Sequence, residues 1–182
     1  MKISAVIPTR GDVDIEPIRH RLMAHPEIDD INFIESDSVF GRFIGIWGYA
    51  QHDIIYTQDD DVLTDVGPII DSYESGVIVN AMTPEHAAHY RGSQTLIGFG
   101  AIFDKLLLTS LYGWDWQDEL NRRTCDRIFT ALNKHKSIFP RITHMPYATA
   151  DNRMYRQPQH FRDRVDITKR ILERTGINDD PK

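Results

Sequence analysis

Residues 54 to 63 read IIYTQDDDVL, so three carboxylates, Asp59, Asp60 and Asp61, follow an apolar stretch without a break. Adjacent like charges repel and are costly to remove from water, so such a run is stable either in full solvent or against a cation. In an extended segment alternate side chains share a face, which pairs Asp59 with Asp61 and turns Asp60 away. Two carboxylates on one face suit a hard cation such as Mg2+ or Mn2+, whose sites combine one or two carboxylates with water and phosphate oxygens. A calcium loop does not fit, because Leu63 stands where a third oxygen ligand is required. The competing reading is a solvated acidic turn that starts the next helix at Val66.

The elements around the run decide where it can point. KISAVIP reads as a first strand, with Pro17 in the first turn of a helix ending near His25. INFIES is a second strand, and Ser38 is placed to cap a helix whose apolar positions Phe40, Phe43, Ile44, Trp47 and Tyr49 to Ala50 follow helical spacing. DIIYTQ is a third strand, a helix from about Val66 to Glu74 follows, and GVIVNAM is a fourth strand. Strands separated by helices predict an α/β domain with a mostly parallel central sheet and helices on both faces. Such sheets bind ligands beyond the carboxyl ends of their strands, which is where the acidic run falls.

The second half is less periodic. QTLIGFGAIF reads as a strand interrupted by Gly98 and Gly100, after which Asp104 is placed to cap a helix through Leu111. One helix is predicted over roughly Gln117 to Asn133, SIFPRITHMP is extended, and a closing helix from Val165 to Arg174 ends at Gly176. The polar stretch YATADNRMYRQPQHF between them reads as a loop.

At 182 residues, with no repeat or linker, the chain is expected to form one domain. No apolar run approaches the roughly 18 residues of a membrane span, and the apolar stretch before Pro8 is too short for a signal-peptide core, so a cytoplasmic protein is expected. Cys125 is the single cysteine, which excludes an internal disulfide and a multi-cysteine metal site. The net charge of −6 gives no global basic footprint for nucleic acid.

AVIPTRG, FGRFIGIWGYAQHDIIYTQDDDV, GFGAIFDK and RTCDRIF occur in that order along roughly residues 3 to 130. In this order the sequence resembles the GT-A class of nucleotide-sugar glycosyltransferases, particularly small family 2-like and exostosin-like catalytic domains. The resemblance implies a Rossmann-like GT-A domain with a nucleotide-sugar half over 1–95, an acceptor half over 96–150 and a C-terminal tail or lid over 151–182. It implies a divalent metal, Mn2+ or Mg2+, held by Asp59 and Asp61 against the donor diphosphate, with Asp60 near the donor ribose or sugar. Pro8, Thr9 and Arg10 would line the nucleotide pocket, Glu35 or Asp37 would contact base or ribose, and Arg42 would approach the diphosphate.

The same resemblance makes Gly98, Phe99 and Gly100 an acceptor loop and Asp126 the first candidate base, with Asp118 and Glu119 in reserve. RTCDRIF carries an arginine directly after Asp126, where related sequences often have a second acid. Trp114 and Trp116 would stack on a sugar ring or base, or else pack in the core. His160 would be a late metal ligand, with His144 its competitor, whereas His86 and His89 lie outside the resemblance and read as non-catalytic. Arg153, Arg156 and Arg162 would let the tail close over the donor.

The expected reaction is sugar transfer from a nucleotide diphosphate donor, a UDP-sugar first, to an acceptor hydroxyl. The acceptor could be a glycan, a small molecule, a protein or a hydroxymethylated DNA base, the last as in phage enzymes that decorate modified DNA. A sugar-phosphate nucleotidyltransferase is the second class. PTRGDVDIEP lacks the lysine and repeated glycines of its phosphate loop. A nucleotide-binding module without turnover is the third.

Overall fold

Residues 1–89, 96–146 and 158–177 are described in the computed structural model. In chain order the elements of the first half are β1 (Ile3–Thr9), α1 (Glu16–Met23), β2 (Ile28–Glu35), α2 (Phe40–Tyr49), β3 (Ile54–Thr57), β4 (Val62–Thr64), α3 (Gly67–Asp71), β5 (Ile78–Ala81) and α4 (Pro84–His89). The second half carries β6 (Ala101–Asp104), α5 (Glu119–Arg123), α6 (Cys125–Leu132), β7 (His135–Ile138), β8 (Ile142–His144) and α7 (His160–Thr175).

All seven residues of β1 are buried, the pattern of a strand covered on both faces. Val6 points into a core shared with Phe43 and Ile46 of α2, Ile128 and Phe129 of α6, and Ile167 and Ile171 of α7. Ala5 and Ile7 point the other way, onto Ile18 and Leu22 of α1 and Ile69 of α3. The main sheet has six strands in the order β2-β1-β3-β6-β5-β7. Its β1–β2, β1–β3 and β5–β7 pairs are parallel, and β6 alone is reversed between β3 and β5. This is the predicted α/β architecture, a mostly parallel sheet with helices on both faces. Among the described residues no helix is long and apolar enough to cross a membrane.

Close packing of α2 matters for the site. A Cβ at Gly45 would lie 2.8 Å from Val6 Cγ1, so only a glycine lets this helix approach β1 and β2 so nearly. The first turn of α2 therefore sits beneath the carboxyl ends of the strands.

Three local expectations differ from the structure. Beyond Gln94 and Thr95, which lie outside the described residues, the QTLIGFGAIF segment forms a 3-10 turn over Ile97–Phe99 before β6. Gly100 there has φ +120, a conformation that side chains strain. The helix expected over Gln117 to Asn133 is split at Thr124, whose hydroxyl donates to the Leu120 carbonyl at 2.6 Å and whose backbone leaves the helical region. Asp104 does not cap the 3-10 segment Lys105–Leu111. Its carboxylate instead accepts from Ser75 Oγ at 2.9 Å, from the Tyr73 hydroxyl and from the Gly76 N–H. A second small sheet, β4 paired antiparallel with β8, follows the acidic run directly.

Candidate active site

The carboxyl ends of β1 and β3 open into a cavity of about 450 Å3, lined among others by Pro8, Thr9, Arg10, Asp37 and all three aspartates of the acidic run. From the second half, Gly98 and Phe99, Asp126 at the start of α6, and His160 and Arg164 of α7 complete its wall.

The acidic run is a turn, not an extended strand. β3 ends at Thr57, and the buried Gln58 staples the turn: its Nε2 donates to the Val62 carbonyl at 2.6 Å, while its Oε1 accepts from the Tyr56 hydroxyl at 2.8 Å. The expected alternation, with Asp60 turned away, therefore does not hold. Asp60 is only 4% exposed and accepts the Arg10 N–H at 3.3 Å, yet it lines the same cavity as its two neighbours. The Asp61 carbonyl accepts the Met145 N–H at 2.8 Å, which ties the turn to the end of β8.

Arg42 is not on the cavity wall, where the diphosphate contact would require it. Carried under the strand ends by α2, it is 0% exposed. Its Nε donates to Thr57 Oγ1 at 3.0 Å, its Nη1 to Asp126 Oδ2 at 2.6 Å, and its Nη2 to Asp59 Oδ1. Burial alone would lower its pKa, but Asp126 and Asp59 outweigh burial and raise it.

Asp126 enters the cavity because the break at Thr124 starts a new helix there, with Asp126 in its first turn. Burial pushes its carboxyl above the ordinary range, the charge of Asp59 acts in the same direction, and Arg42 offsets part of this. A carboxylate so placed is a better proton acceptor than one in water.

Several sequence candidates lie off the cavity. Asp118 caps α5, accepting the Asn121 N–H at 3.0 Å, and pairs with Arg170 Nη1 at 2.8 Å; these contacts hold its pKa below the usual value. Trp114 is 6% exposed, with the Arg174 guanidinium 4.7 Å over its ring. Trp116 stacks on Phe40, with ring centroids 4.9 Å apart. Both rings spend a face on the protein and neither lines the cavity. Glu35 also stays off the wall, and Gly100 lies behind it, where a Cβ would meet the Tyr56 hydroxyl at 2.9 Å.

His160, the first residue of α7, lines the cavity, and burial together with the neighbouring Arg164 holds its pKa below the ordinary value. His144 lines it too. Among the described residues no three of His, Cys, Asp and Glu are grouped as a metal-holding set, while Asp59, Asp61 and His160 line the same cavity. Hard oxygen donors on one wall still fit a cation that takes one or two carboxylates and draws its remaining ligands from phosphate and water. Arg153 and Arg156 lie outside the described residues, and Arg162 is exposed away from the wall.

The sequence reading missed other lining residues. Arg123 and Arg127 flank Asp126, and their i,i+4 spacing was the available signal. His86 approaches Phe99 edge-on at 4.8 Å, and His144 does so at 5.5 Å. Nothing in the sequence around His86 announces that placement.

No protein-family model matches the sequence, and no curated protein matches it. Among solved structures, the chain is similar to glucosyl-3-phosphoglycerate synthase from Mycobacterium tuberculosis in complex with Mn2+, UDP and glucosyl-3-phosphoglycerate. The TM-score is 0.51 at 15% identity, over 100% of this chain and 81% of that one. This chain has a GT-A-type fold. TarS from S. aureus matches at a TM-score of 0.49 and 13% identity, over 95% of this chain and 65% of that one. A 4-diphosphocytidyl-2C-methyl-D-erythritol synthase from Anaerococcus prevotii matches at 0.49 and 12%, over 91% and 96%. Within the GT-A frame, the acidic turn follows β3, and Asp126, in the first turn of α6, lines the same cavity.

Proposed function

We propose that this protein is a metal-dependent glycosyltransferase that moves a sugar from a nucleotide diphosphate sugar, a UDP-sugar first, to an acceptor hydroxyl. The observation that carries the reading is the convergence of the Asp59–Asp61 turn and Asp126 on one cavity of about 450 Å3, large enough for a small-molecule donor. The Mn2+ and UDP of the mycobacterial structure support the choice of metal and nucleotide.

In this reading Pro8, Thr9, Arg10 and Asp37 hold the nucleoside, and Asp61 with its acidic neighbours would hold Mn2+ or Mg2+. The cation supplies charge neutralisation at the departing diphosphate. Asp126 accepts the proton of the acceptor hydroxyl. The acceptor oxygen gains a bond to the anomeric carbon, the bond from that carbon to the diphosphate oxygen breaks, and the electron pair leaves with the nucleoside diphosphate. Gly98 and Phe99 line the acceptor side, where His86 and His144 hold the Phe99 ring edge-on. The acceptors to test are hydroxyl compounds, a hydroxymethylated DNA base among them.

The test is release of nucleoside diphosphate from a panel of nucleotide sugars with Mn2+ or Mg2+, with Asp61→Ala alongside. Turnover of one donor, lost in the variant while the melting temperature is kept, is expected. Metal-independent turnover, or equal turnover by the variant, would sink the assignment.

A further inference from the structure

We propose that Arg42 is a buried positioning residue, a brace that holds the carboxylates of Asp59 and Asp126 in one fixed relation so that the acidic turn and α6 act as a unit. The purpose of the alignment rests on the glycosyltransferase reading; the brace itself rests on geometry.

Three elements meet at this one guanidinium. It comes from α2, and its Nε reaches Thr57 at the end of β3 at 3.0 Å. The Thr57 hydroxyl in turn donates to the Val6 carbonyl of β1 at 2.6 Å, so the contact is locked into the centre of the sheet. Nη1 takes Asp126 on α6 at 2.6 Å, and Nη2 takes Asp59 on the acidic turn. A planar fork can hold two carboxylates in a set orientation, which the single point charge of a lysine cannot do.

Each carboxylate is gripped by one oxygen only. The Asp59 and Asp126 side chains remain 40% and 27% exposed and both line the cavity, while Arg42 is 0% exposed and does not. Arg42 therefore reaches no ligand without breaking both pairs. Without it, two carboxylates in a partly desolvated site would lose the buried positive charge they share, and mutual repulsion would drive them apart.

The test uses Arg42→Lys, which keeps the charge and most of the volume. With the donor identified, the variant should show a donor KM within about threefold of wild type and a kcat lower by on the order of 100-fold, the cost of misplacing reacting groups by about an ångström. A raised KM with kcat unchanged would make Arg42 a donor ligand, and an unchanged pair of constants would make it inert; either overturns the brace.

A thermal-stability cycle tests the same point without activity. Arg42→Lys and Asp126→Asn should be non-additive, because both act on one contact; additive effects overturn the proposal. If Arg42→Lys does not fold, Asp59→Asn and Asp126→Asn form the cycle, coupled through the guanidinium they share. A wild type that turns over no nucleotide sugar, with coupling present in the cycle, defeats the glycosyltransferase reading and leaves the brace standing.

Discussion

Gly98 lies flat against Asp59: the Gly98 carbonyl accepts the Asp59 N–H at 2.7 Å, and a Cβ added to Gly98 would lie 2.8 Å from Asp59 Cγ. The carboxylate cannot simply swing aside, because Arg42 holds it from the other side. Gly98→Ala should therefore push Asp59 off its partner. The expected cost is about 1–3 kcal/mol of stability, as for other overpacked sites, with donor turnover falling at least tenfold. Thermal melts and turnover measured on one preparation check this. Full activity with a normal melt would mean that the placement of Asp59 is not critical.

Asp118 and Asp126 should separate cleanly under substitution. Asp118 caps α5 and pairs with Arg170, so Asp118→Ala should lose about 1 kcal/mol, as helix N-caps do, and keep its kcat. Asp126→Asn should fold and lose turnover. If Asp118→Ala abolished kcat in a folded protein, the base would have to be reassigned.

Asp30 provides a pH signature far from the cavity. Burial pushes its carboxyl up, but donors from Ser4 Oγ at 2.5 Å, the Gln51 N–H at 3.0 Å and Asn32 Nδ2 at 2.9 Å outweigh burial, and its pKa is lowered. A depressed native pKa contributes stability that is fully present above the unfolded value of 3.8 and is lost as pH falls through the native one. Asp30→Asn should thus be destabilised by about 1–3 kcal/mol at neutral pH, with the gap to wild type closing in acid below that value. Denaturant midpoints at neutral pH and at successively lower pH measure it, and a gap constant with pH would contradict the assignment.

The aromatic core beneath the site should be costly to hollow out. Phe129 of α6 meets Phe43 of α2 at 5.4 Å and Phe103 of β6 at 5.0 Å between ring centroids, and all three are fully buried. Phe129→Ala should cost about 3–5 kcal/mol. Since α6 also carries Asp126, activity should fall with stability, and both should recover together in Phe129→Leu. Chemical denaturation followed by turnover assays checks the pairing.

How far the sequence reveals this site follows from the range of the forces involved. The place of the acidic turn was legible, because the apolar run of β3 and the strand–helix alternation are local patterns. Asp126 was legible only through the resemblance that RTCDRIF carries, because the helix predicted over Gln117 to Asn133 put it mid-helix; the break at Thr124 that gives it a helix start was not legible. The position of Arg42 was not legible. It depends on Gly45 letting α2 settle against Val6, a contact between segments that no local pattern records. The ITH of β8 is too short for periodicity to mark it as a strand. Trp114 and Trp116 read equally as binding aromatics or as core, because type and spacing cannot tell a ring facing a cavity from one covered by Arg174 or Phe40.

The β4–β8 ladder has a consequence for the order in which the protein acquires its site. Val62 finds its partner in His144, and the Asp61 carbonyl finds its donor in Met145, so the acidic turn is closed by residues synthesised long after it. Contacts between segments so distant in sequence are entropically late in folding. A nascent chain emerging from the ribosome carries its three aspartates well before it can fix them. The site is therefore completed only after β8 has left the exit tunnel, when the sheet and both cores already have most of their strands.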